Sequence, residues 1–91
     1  MSIPDHRKAI DKLDAQLVRL LNERTRHVLE IGRIKLDAGE EIYAPHRELA
    51  VLQRIGKLNA GPITGDSLRA IYRAVPFDHG ERGQTRRPRR R

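Results

Sequence analysis

Apolar residues recur at Ile10, Leu13, Leu17, Leu20, Leu21, Val28 and Ile31, a spacing of three and four that keeps one face of a helix apolar across residues 5–38. The pattern predicts one long helix. Ser2 can cap it, Pro4 suits a first turn, Asp5 complements the positive end, and Gly39 stops it. After a short connection over residues 40–44, Pro45 can open a second helix with Leu49, Leu52, Ile55 and Leu58 on one face. Asn59, Ala60 and Gly61 end it, and Pro62 carries the turn. Thr64 or Asp66 can cap a third helix whose apolar side is Leu68, Ile71, Tyr72 and Val75, and Pro76 terminates it early. No alternating stretch calls for a strand, so the expected class is all-α, with one long and two short helices.

The predicted first helix is longer than the domain it belongs to. About 34 residues at 1.5 Å each span ~50 Å, more than the width of a compact domain of this size. Part of the apolar stripe therefore needs a second chain, and an intertwined homodimer is the expected assembly. Ninety-one residues with 3% aromatic content and no tryptophan leave little material for a large monomeric core, which points the same way.

Charge changes the picture at one end. Of the net +7, residues 76–91 contribute +4, from six arginines against Asp78 and Glu81. The expected division is a helical domain over residues 1–75 and a basic, disordered tail over residues 76–91. The body is mildly basic, so nucleic-acid binding is not needed to explain it. The tail arginines leave that reading open as an alternative, with steep salt dependence as its mark. The absence of cysteine excludes disulfides and thiolate chemistry. With no 18-residue apolar run and no signal-type segment, no membrane partner is expected, and the expected location is cytoplasmic.

Candidate chemistry comes from cations placed on or beside the apolar stripe. Arg7, Arg24 and Lys35 fall there, where burial without an anionic partner is costly. Arg24 and Lys35 lie 11 residues apart, ~16 Å and three turns, so their long side chains can converge. Arg7 lies ~25 Å from Arg24 along the helix and can join them only from the other subunit of an antiparallel pair. Arg47 and Glu48 can fold back onto the same face, giving a cationic pocket with one carboxylate, suited to a small dianion. Each has a plainer reading. Arg7 can be a solvated end-of-helix charge, Lys35 a complement to the helix dipole, and Arg24 a partner of Glu23 or Glu48. The four histidines His6, His27, His46 and His79 lack metal-ligand spacing, and no phosphate loop or nucleophile elbow is present. No metal or cofactor is expected.

The order and spacing of Arg7, Ile10, Asp11, Leu13 and Asp14, then Leu20, Leu21, Asn22, Glu23 and Arg24, begin a longer pattern. It continues through Glu30, Ile31, Gly32 and Lys35, then Ile42, Tyr43, Pro45, Arg47 and Glu48, and closes on Asn59, Gly61, Pro62 and Ile63 leading to Ala70, Ile71, Tyr72 and Arg73. This pattern resembles the all-helical class of chorismate mutases, and its Asn-x-Gly-Pro-Ile stretch is similar to mutase domains at the front of bifunctional mutase and prephenate dehydratase proteins.

The resemblance implies a cofactor-free Claisen rearrangement of chorismate to prephenate. Arg24, with Arg7 from the partner subunit, would bind the substrate's two carboxylates. Lys35 would donate to the ether oxygen, Glu48 would accept from the ring hydroxyl, and Arg47 would complete the cationic wall. Ala44 stands where many members carry an acidic residue near that hydroxyl, a mild change if only the backbone amide is used there. The family's third helix runs about three turns further and presents a serine and a glutamine or glutamate. Those positions fall near His79 and Gly83 here, with Gln84 one residue beyond. The short third helix implies weakened activity or, alternatively, a dimerisation or regulatory module of the same fold.

Overall fold

The computed structural model describes residues 1–41 and 45–76. Among them are three helices, α1 (Ile3–Ala38), α2 (Pro45–Leu58) and α3 (Gly65–Ala74). Each boundary has a local cause. At the start of α1 the Ser2 hydroxyl accepts from the Asp5 backbone N–H, while the Asp5 carboxylate accepts from the Ser2 N–H at 3.1 Å, a reciprocal capping box. At its end Gly39 adopts φ 72°, the left-handed conformation favoured by a residue without Cβ. The Gly39 and Glu40 N–H groups then satisfy the Leu36 and Lys35 carbonyls.

The turn between α2 and α3 is built by Asn59. Its side-chain oxygen accepts from the Gly61 N–H at 2.9 Å, and its amide nitrogen donates to the Ile63 carbonyl at 2.9 Å. Gly61 takes φ 80°, and the Gly61–Pro62 bond is cis. Thr64, rather than Asp66, is the cap of α3, accepting from the Ser67 N–H at 3.1 Å. At the other end Val75 is extended, at φ −98° and ψ 154°. A residue preceding proline is pushed out of the helical region by the pyrrolidine ring, so Pro76 stops α3 through Val75.

The molecule is a rod with extents of 55 × 26 × 21 Å, its long dimension set by α1. Helices α2 and α3 pack against each other. The buried apolar side chains are few, namely Val28 on α1 and Val51 and Ile55 on α2, with Gly32 also buried on α1. Both sets are spaced by four residues, one turn of a single face. The N-terminal half of the α1 stripe continues in line with Val28 and Gly32 but is uncovered. Ile10 is 53% exposed, Leu13 60%, Leu17 54% and Leu20 52%.

Candidate active site

Two of the expected cations flank the buried segment of α1. Arg24 and Lys35 are separated by 11 residues, nearly three full turns, so they share a face with Val28 and Gly32 between them. Both are half-buried. Lys35, in the last turn of α1, complements the helix dipole, and no side chain among the described residues pairs with its ammonium. Glu48 is half-buried and Arg47 exposed in the first turn of α2, and both engage in polar contacts. Arg7 is exposed far up α1, ~25 Å from Arg24, so one chain does not gather all the cations. Ala44 lies outside the described residues, as do His79, Gly83, Gln84 and the tail arginines.

Arg24 pairs with neither Glu23 nor Glu48, the two partners its sequence context offered. Its Nη1 donates instead to the Pro76 carbonyl, and its guanidinium carbon sits 5.4 Å from the centre of the Tyr72 ring. Both partners come from the end of α3, about 50 residues away in sequence. The apolar spacing placed Tyr72 on the inner face of α3, but no local pattern relates a ring on one helix to a cation on another.

A groove of about 560 Å³ lies beside this face, lined by Leu20, Glu23, Arg24, Arg26, His27 and Glu30. It shares only Arg24 with the expected pocket, and its two carboxylates, Glu23 and Glu30, offset Arg24 and Arg26, so it lacks the cationic excess expected of a site for a dianion. Glu30 is held below its ordinary value chiefly by its hydrogen bond to Arg33, so it is a settled negative charge. The groove is therefore distinct from the cationic face that Arg24 and Lys35 border.

Residues 6–76 match the chorismate mutase type II family. Relatives include a bifunctional chorismate mutase/prephenate dehydratase of Neisseria gonorrhoeae, 47% identical over 70 residues that make up 77% of this chain and 19% of that protein. One of the same name from Aquifex aeolicus is 38% identical over 73 residues, 76% of this chain and 20% of that protein. The T-protein of Haemophilus influenzae is 38% identical over 74 residues, 79% of this chain and 19% of that protein. The chain thus spans about a fifth of the length of the curated relatives it matches. It belongs to the chorismate mutase type II family.

Proposed function

We propose that the chain is a chorismate mutase acting as a homodimer, converting chorismate to prephenate without a cofactor. The carrying observation is the family match over residues 6–76, which spans Arg7, Arg24, Lys35, Ala44, Arg47 and Glu48. The reaction breaks the ether C–O bond as a new C–C bond forms within one molecule, so it needs no nucleophile or metal. It needs a folded substrate and a donor where charge collects. Arg24 and the partner subunit's Arg7 hold the two carboxylates and restrict the substrate to its reactive conformer. Lys35 donates to the ether oxygen as the bond lengthens, an interaction strongest in the transition state. Glu48 accepts from the ring hydroxyl, and Arg47 extends the cationic wall.

The half-buried Lys35 ammonium, which no side chain among the described residues pairs, supports this reading, since such a charge gains most from an incoming acceptor. The short α3 supports a second reading, a module of the same fold with impaired chemistry. With α3 ending at Ala74, the family's helix-borne second donor to the ether oxygen has no helical counterpart among the described residues. Loss of one such donor costs on the order of 10² to 10³ in rate. The deciding experiment is the loss of chorismate absorbance with the purified chain, beside Arg24→Ala and Lys35→Ala. Turnover that falls by about 10² or more in both variants establishes the mutase. No turnover from a folded, dimeric chain selects the module.

A further inference from the structure

An arginine side chain has four rotatable bonds, and fixing it only when a ligand arrives costs affinity. Here the Arg24 guanidinium is already held on two sides. Its guanidinium carbon lies over the Tyr72 ring, 5.4 Å from its centre and inside the range of a cation–π attraction, and its Nη1 donates to the Pro76 carbonyl. Arg24 and Tyr72 are both half-buried, which strengthens each attraction relative to open water. The carbonyl is available because Pro76 ends the helix. With Val75 extended, the chain leaves the axis of α3, and the Pro76 oxygen meets α1 instead of continuing a helical ladder. The site lies beside the negative end of the α3 dipole, where a cation is favoured.

We propose that Tyr72, with the Pro76 carbonyl, is the positioning element for Arg24, fixing the plane of its guanidinium so that the Nε and Nη2 edge is presented to a substrate carboxylate before binding. The early end of α3 thus supplies an anchor in the place where the helix stops. Tyr72 acts through Arg24 and does not touch the reacting atoms. The proposal rests on the mutase reading for what Arg24 binds, but the positioning itself has a readout free of turnover.

The test uses the full chain labelled with ¹⁵N at arginine, the Arg24 signal being assigned by its loss in Arg24→Lys. In the unliganded protein the Arg24 guanidinium protons are shifted upfield by the Tyr72 ring current. Tyr72→Phe retains the ring face, so it keeps that shift and leaves KM within about twofold. Tyr72→Leu loses the shift and raises KM for chorismate about tenfold, with kcat changed less than about threefold, because carboxylate binding is shared by ground and transition states. The split separates positioning from general damage, which lowers kcat and the unfolding midpoint together. Absence of the upfield shift in the wild-type chain overturns the proposal, as does Tyr72→Phe matching Tyr72→Leu in KM. If Tyr72→Leu does not fold, the wild-type and Tyr72→Phe spectra still decide the positioning. A chain with the shift but no turnover retains the positioning and loses the mutase reading.

Discussion

At the residue scale, the polar groups with clear assignments divide into those that build the helix and those assigned to the proposed pocket. Ser2 and Asp5 belong to the first kind. Replacing Ser2 with Ala removes the cap and costs about 1 kcal/mol of local stability, read as faster amide exchange in the first turn of α1. The Asp5 carboxyl is held below its ordinary 3.8 by the Ser2 backbone and side-chain hydrogen bonds, and Glu30 below its ordinary 4.5 by Arg33. Both folded-state values are depressed, so their stabilisation is complete above the unfolded values and is lost as pH falls through the lower folded ones. Helical ellipticity should therefore hold at neutral pH and decline in acid below about pH 4, with the losses at the start and in the last third of α1. Residue-resolved shifts in Asp5→Asn and Glu30→Gln check the assignment, since neither variant can show its part of that decline. Arg24 belongs to the second kind. Arg24→Lys keeps the charge but not the planar fork, so it should recover only a minor part of the activity lost in Arg24→Ala.

At the scale of the elements, stability concentrates where cover exists. The described core is so small that each member carries a large share. Ile55→Ala should cost about 3 kcal/mol, measured as a lower denaturant midpoint at unchanged slope. Leu13→Ala on the uncovered stripe should cost far less in a monomer and much more in a dimer, so the pair reports whether that stripe is covered in solution. Gly39→Ala should destabilise the end of α1 by about 1 kcal/mol. A Cβ there meets nothing within 4 Å, so the cost is the strain of φ 72° and not a clash.

The whole molecule raises the question of a partner. A 55 Å rod with a continuous, half-covered apolar stripe exposes more hydrophobic surface along α1 than an isolated chain keeps without a purpose. The proposed dimer covers it and brings the partner subunit's Arg7 to Arg24. Sedimentation should show a dimer that Leu17→Glu converts to monomer, with loss of activity. A complementation experiment is sharper. Arg7→Ala and Arg24→Ala are each inactive alone, but each mixed dimer has one intact site, so equal mixing and reassembly should restore about a quarter of wild-type activity. No recovery, despite subunit exchange, removes the cross-subunit arrangement and takes Arg7 out of the site.

Most helix starts and stops were legible in the chain because they are made by neighbours within four residues: Ser2 with Asp5, Gly39 with Leu36, and Val75 ahead of Pro76, whereas the choice of Thr64 over Asp66 as the cap of α3 came from the fold. The shared face of Arg24 and Lys35 was legible too, since it follows from helical period alone. Tertiary structure decided what that period leaves open. It chose which part of the α1 stripe is covered, Val28 and Gly32 and not Leu13 and Leu17, because cover depends on where α2 and α3 fold back. It also gave Arg24 the Pro76 carbonyl and the Tyr72 ring instead of Glu23 or Glu48. Sequence spacing specifies angles around one helix, whereas a cation's partner is set by distances between helices, and these exist only once the chain has folded.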